Sequence, residues 1–268
     1  MTTFQKVIKY AAFAFAIFLT VSIISGILGA VGVVGGLFKN DAVLDDMQTY
    51  TVSEQITSLK VNINAADFTV KQADSFSVES NLKNLSVEDD NGVLTIRETK
   101  KLSGSYSNAA LILYIPKELV FERADIITGA GRLTVDALSA DILNLELGAG
   151  EVRIDSLIAV RKADIDGGAG KITIAGGSLN NLELDMGVGQ LNLTSAVHGN
   201  SEFDLGIGES NIVLIGSKDD YEIEAEKGIG NITVDGKTVS DGGIIGNGAN
   251  KIEIGGAIGE INLSFKEQ

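Results

Sequence analysis

From residue 123 onward, apolar and polar side chains alternate with a period of two, and a G-x-G unit breaks the alternation at nearly constant intervals. Leu143-Asn144-Leu145-Glu146-Leu147 and Leu182-Glu183-Leu184-Asp185-Met186 precede such units, and Val152-Arg153-Ile154 and Leu191-Asn192-Leu193 follow them. The first glycines stand at 129, 148, 168, 187, 206 and 228, which gives intervals of 19, 20, 19, 19 and 22. Ala257-Ile258-Gly259, ahead of Glu260-Ile261-Asn262-Leu263, is a degenerate seventh copy in the same frame. A helix has a period of 3.6 and cannot hold this pattern, whereas a strand puts alternate side chains on opposite faces. Each copy therefore reads as strand, sharp corner, strand. Stacking successive copies at about 4.8 Å would line equivalent side chains into rows. The predicted architecture is all-β: a single β-solenoid, parallel β-helix-like, with coils of about 19–22 residues over 123–268.

The recurring glycines fit bends that need a positive φ, which other residues adopt at a cost. Between them stand Ala130, Ala149, Ala169, Val188, Ile207, Ile229 and Ile258, read as an inward corner whose interior widens along the array. A phosphate loop is excluded, because no helix follows the unit and it recurs. Residues 51–122 carry a looser version of the alternation, in Leu59-Lys60-Val61-Asn62-Ile63, Phe68-Thr69-Val70, Phe76-Ser77-Val78, Leu94-Thr95-Ile96 and Leu111-Ile112-Leu113-Tyr114-Ile115. Asp89-Asp90-Asn91-Gly92 is a hairpin signal and 100–108 an exposed loop. This segment is assigned as irregular first coils and an amino-terminal cap, since repeat arrays need atypical ends.

The amino terminus has a different pattern. No charged residue occurs from Tyr10 to Phe38, and about 20 apolar residues suffice to cross a bilayer as a helix. Residues 10–38 are therefore expected to be one transmembrane α-helix. Lys6 and Lys9 precede it, and Asp41, Asp45 and Asp46 follow with the single basic Lys39. The positive-inside bias places 1–9 in the cytoplasm and the rest of the chain outside. The run exceeds the apolar region of a cleavable signal peptide, and no A-x-A site follows it at a cleavage position. Ser22, Ser25, Gly29, Gly32 and Gly36 form a small-residue stripe that would admit another helix, or are simply ordinary residues of a membrane span. Residues 39–50 read as a stalk.

Charge and composition narrow the function. With 36 acidic against 21 basic residues and a formal charge of -15, the chain lacks the basic stripe that nucleic acid requires. The absence of cysteine removes disulfides, thiolate metal sites and cysteine nucleophiles. Counted back from the first glycine, two columns are nearly all acidic. Four residues before it stand Asp125, Asn144, Asp164, Glu183, Glu202, Glu224 and Glu253; two before it stand Ile127, Glu146, Asp166, Asp185, Asp204, Glu226 and Gly255. Stacked in register, these carboxylates would lie about 5 Å apart on one outer face, with repulsion of roughly 0.8 kcal/mol per exposed pair. The ladder Asp164, Asp166, Glu183, Asp185, Glu202 and Asp204 is the candidate metal site, with calcium as the cation, because hard cations take carboxylate oxygens. A basic partner could occupy the same face, and a solvated face that blocks sideways sheet pairing is the plain alternative. Gly167-Gly168-Ala169-Gly170-Lys171-Ile172 opens like a calcium-binding nonapeptide but has Ile172 where the aspartate belongs.

The opposite strand carries Thr134, Arg153, Thr173, Asn192, Asn211, Thr233 and Asn262, a nearly neutral column able to bond a glycan or to satisfy itself. His198 is the only histidine. It stands at an expected turn without a nucleophile motif. A polysaccharide-processing enzyme using the acidic face with Arg153 or Arg161 is a minor alternative, because a ladder gives each carboxylate similar surroundings.

The chain resembles a bacterial adhesin family, a domain of unknown function with β-strand repeats. The resemblance rests on residues 59–70 (LKVNINAADFTV), Gly92-Val93-Leu94-Thr95-Ile96, Leu111-Ile112-Leu113-Tyr114-Ile115-Pro116-Lys117 and the serial G-x-G units. It implies a β-solenoid exposed on the cell surface and supplies no catalytic residues. The resulting expectation is a membrane-anchored, non-catalytic binding or structural module at the cell envelope that meets a cell-wall polymer, a glycan or an envelope protein. Envelope-stress sensing beside another membrane protein is the alternative.

Overall fold

The computed structural model describes residues 42–53, 55–99 and 106–267. The predicted membrane span 10–38 lies outside them, and among the described residues no helix is long and apolar enough to cross a membrane. In chain order the strands are β1 (Val43–Tyr50), β2 (Ser58–Ala73), β3 (Ser77–Leu82), β4 (Leu85–Asp90), β5 (Val93–Glu98), β6 (Ala110–Pro116), β7 (Phe121–Ile174), β8 (Gly177–Asn180), β9 (Leu182–His198), β10 (Asn200–Ile215), β11 (Tyr221–Val234), β12 (Lys237–Thr238), β13 (Gly243–Gly246) and β14 (Asn250–Lys266). A short 3-10 turn at Lys218–Asp220 precedes β11. The described residues are all-β, and β7 runs through several coils because the chain turns its corners without leaving the ladder.

Parallel pairing in the predicted register joins β7 to β9 and β9 to β10, and the same ladder also takes in β2 beside β7. Equivalent apolar residues consequently share rows. Ile165, Leu184, Phe203, Ile254 and Ala225 lie side by side across four consecutive pairings, and each is fully buried. Alternation along the strand thus becomes a continuous core down the axis, with each buried large side chain contributing about 1.5–3 kcal/mol of burial.

The two glycines of a corner have different duties. Gly208 has φ 149°, a conformation open in practice to glycine alone. Gly206 has no such φ; a Cβ there would run into the carbonyl oxygen of Gly187 in the coil beneath. Both columns stack: Gly148, Gly168, Gly187 and Gly206 each lie over the glycine of the coil beneath, and so do Gly150, Gly170, Gly189 and Gly208. The residues between them are not core. Ala130, Ala149, Ala169, Val188, Ile207 and Ile258 are partly exposed, and Ile229 is 70% exposed. The expected inward column is therefore corrected: the apex of the corner lies at the edge of the core, where backbone rather than side chain fills the bend.

The stacking order also departs from expectation. The seventh copy, β14, does not follow the sixth. It lies between β10 and β11, parallel to both. Gly259 sits over Gly208, and Gly230 over Gly259. The chain leaves one coil position empty after β10, builds the outer coil β11, and returns through 235–249 to fill the gap. Within that return, β12 and β13 pair antiparallel to the outer edge of β11 and cover it. At the other end β6, β3 and β1 continue the sheet, β3 antiparallel to both of its neighbours, and β5 pairs with β2. The β4–β5 hairpin turns at Asn91 and Gly92, both with positive φ, as its Asp-Asn-Gly signal predicts. Exposed strand edges invite pairing with other chains, and these antiparallel strands shield them.

Candidate binding face

The register brings the predicted carboxylates together. In spatial order one row runs Asp164, Glu183, Glu202, Glu253, Glu224, and the other Asp166, Asp185, Asp204, Gly255, Glu226. The interposed β14 thus adds Glu253 to the first row and opens a gap at Gly255 in the second. The gap is used: a Cβ on Gly255 would stand 2.9 Å from Asp204 Oδ1, so Asp204 extends over a position that carries no side chain.

Compensation along the rows is sparse. Lys162 Nζ lies 3.0 Å from Glu183 and 3.6 Å from Asp164, and bonding to Glu183 raises its pKa. Burial, then repulsion from Asp204, Asp166, Glu183 and Asp164, holds the Asp185 carboxyl above the usual range. Repulsion from Asp204, then burial, then Glu253 and Glu183 does the same to Glu202. A carboxyl whose pKa is higher in the folded state binds its proton more tightly there, so stability falls as pH rises through that window. The full chain at low salt is expected to melt at a higher temperature in mild acid, down to the ordinary carboxylate range near pH 4, than at neutral pH. Below that range Glu88 works the other way, since bonds from Ser86 and Arg97 lower its pKa. Asp185→Asn should raise neutral-pH stability by about 0.5 kcal/mol and flatten the dependence in thermal melts. A lowered midpoint would mean that the carboxylate has a stabilising partner.

Among the described residues no group of three or more histidines, aspartates and glutamates is placed to hold a metal ion. His198 ends β9, exposed. Arg153 and Arg161, the basic residues of the enzyme alternative, are occupied by Asp155 at 3.1 Å and Asp141 at 3.4 Å. Over its last four coils the neutral column satisfies itself. Thr233 Oγ1 donates to Asn262 Oδ1 at 2.8 Å, Asn262 Nδ2 to Asn211 Oδ1 at 3.3 Å, and Asn211 Nδ2 to Asn192 Oδ1 at 3.3 Å. These bonds run in one direction through the interposed coil and stitch four strands along the axis.

The sequence reading missed that the repeat extends one coil further toward the amino terminus, where its outer rows cease to be acidic. Asn64-Ala65-Ala66-Asp67-Phe68-Thr69-Val70 of β2 occupies the frame of Gly129-Ala130-Gly131-Arg132-Leu133-Thr134-Val135, with Ala65 beside Ala130 and Val70 beside Val135. This is an additional copy without glycines, and the shared A-x-x-x-T-V would have revealed it. It places Lys60 beside Asp125 and Asn62 beside Ile127, and β5 adds Thr95 and Arg97. Over these strands lies an open groove of about 440 Å³ lined by Lys60, Asn62, Arg97, Arg123, Asp125 and Asn144 among others.

A family model described as Toastrack DUF4097 matches residues 56–241. No curated protein matches the chain. Among solved structures, a "putative adhesin" from Bacteroides fragilis is 13% identical, with a TM-score of 0.48, covering 81% of this chain and 96% of that one. A "putative cell adhesion protein" from Clostridium sporogenes is 14% identical, with a TM-score of 0.32, covering 82% and 99%. A "putative lipid binding protein" from Parabacteroides distasonis is 15% identical, with a TM-score of 0.34, covering 83% and 93%.

Proposed function

Since the chain belongs to the Toastrack DUF4097 family, we propose that it works through its outer faces, as a non-catalytic binding module held at the bacterial cell surface by the apolar segment 10–38. The observation that carries this reading is the pair of carboxylate rows, Asp164 to Glu224 and Asp166 to Glu226, set in register by the parallel pairings. Like charges at strand spacing oppose folding, and a stack that keeps them presents a surface that gains when a cationic partner neutralises it. Repetition along the axis makes the contact multivalent, so individually weak pairs combine into useful avidity. The natural occupants are basic stretches of envelope proteins and amine-bearing wall polymers. The neutral row, bonded to itself, offers less.

The test uses the full chain in phosphatidylcholine nanodiscs, whose lipid carries no net charge, titrated with polylysine and with polyglutamate. Polylysine is expected to bind, to weaken as salt is raised, and to lose at least tenfold in affinity when Asp166, Asp185 and Asp204 are changed together to asparagine. Binding that ignores the triple substitution would remove the acidic rows from the reading.

A further inference from the structure

The rows that are acidic over most of the stack change character at the amino-terminal end, and the change coincides with the groove over β5, β2 and β7. We propose that this groove binds a single anionic sugar unit, a pyranose bearing a carboxylate or a phosphate. The inference rests on reading the domain as a binding module, and it adds to the acidic face a second site of opposite preference.

Three observations carry it. First, cations stand where the repeat otherwise puts acids. Lys60 holds the row position of Asp164 and Glu183, Arg97 extends the row of Asp166 and Asp185, and Arg123 stands beside them on β7. In a chain of 36 acidic and 21 basic residues, three cations lining one concavity depart from the pattern where a ligand could lodge. Secondly, their donors are not used up. Arg97 meets Glu88 through Nη2 at 3.1 Å, and Arg123 meets both oxygens of Asp125 through Nε at 2.9 Å. The other guanidinium N–H groups are not consumed by these pairs, and Lys60 makes no ion pair among the described residues. Carboxylate and phosphate oxygens are the partners such groups take most strongly.

Thirdly, the remaining lining suits a sugar ring. Ile127, partly exposed, stands where the next coils carry Glu146 and Asp166, and offers an apolar patch to the C–H face of a pyranose. Asn62 and Thr95 add an amide and a hydroxyl, and Asn144, which donates through Nδ2 to Asp125 at 2.6 Å, keeps its carbonyl oxygen outside that bond. Sites of this kind combine apolar contact with a few placed polar groups. Asp125, bonded to Arg123 and Asn144, and Glu146 also line the groove, at its side toward the acidic rows. These carboxylates would repel the next charges of an extended polyanion, so the ligand is one anionic unit or the end of a chain.

The probes are methyl glucuronide, glucose 6-phosphate, methyl glucoside and inorganic phosphate, each titrated into the full chain in phosphatidylcholine nanodiscs by calorimetry. One or both anionic sugars are expected to bind, with the neutral glucoside and inorganic phosphate at least tenfold weaker. Which anionic sugar binds identifies the acid. Lys60→Glu and Arg97→Glu should each weaken binding about tenfold or more, Lys60→Gln less, with thermal midpoints close to that of the parent. Equal binding of the glucoside, equal binding of inorganic phosphate, no binding of either anionic sugar, or indifference to Lys60→Glu would each overturn the site. Polylysine binding at the distant acidic rows should survive Lys60→Glu, so failure there and failure here read separately.

Discussion

Gly208→Ala is expected to cost the domain on the order of 4 kcal/mol, from backbone strain and overpacking together. The methyl group would have to occupy the position of the Gly189 carbonyl oxygen, at a φ of 149°. That carbonyl belongs to the ladder of the coil beneath, so relief requires two coils to separate. Gly236→Ala is the matched control. It too has a positive φ, 71°, but nothing lies within 4 Å of the added carbon, and about 1 kcal/mol of turn strain is all that is expected. Urea unfolding of the full chain compares the two. Similar midpoints would show that the corners do not stack as closely as described.

Ending the chain before Asn250 should have a larger effect than removing one coil from the end of a stack. The deletion takes away the buried Ile252, Ile254, Ile261 and Leu263, and it also strips β11 of its parallel partner, leaving Ile223, Ile232 and Val234 without the coil that covers them. At about 1.5–3 kcal/mol for each such side chain, the loss rivals the 5–15 kcal/mol net stability of a typical domain. Hydrogen exchange of the shortened chain should show Tyr221–Val234 unprotected along with β12 and β13, and the edge of β10 open to association. Persistent protection across β11 would contradict the interposed position of β14.

Much of the architecture was readable because it is periodic. Two-residue alternation gave the strands, the nineteen-residue return of glycine gave the corners, and an in-register stack follows once both repeat together. The acidic rows were legible for the same reason. What escaped was information that does not repeat. The position of β14 depends on a gap left after β10 and on a return segment long enough to reach it, and no local preference encodes either; the 22-residue step to Gly228 and the altered Ala257 are its only traces. The copy in β2 was hidden because Asn64 and Ala66 replace the glycines, although the alternation around them persists. The groove was missed with it, since Lys60 and Arg97 acquire meaning only once β5 and β2 are known to continue the rows. The apex residues were misplaced because apolar character alone does not distinguish a core position from a bend.

The late placement of β14 has a bearing on biogenesis. A solenoid whose copies stacked in sequence order could grow coil by coil as the polypeptide emerges, each new turn settling on a finished one. Here β11 emerges before the strand it must rest on, and it cannot be seated until residues 250–266 have been made and threaded in beside it. Completion of this end of the stack is therefore deferred until residues 250–266 have been made, and a polypeptide interrupted before them carries an unfinished edge that proteases can recognise.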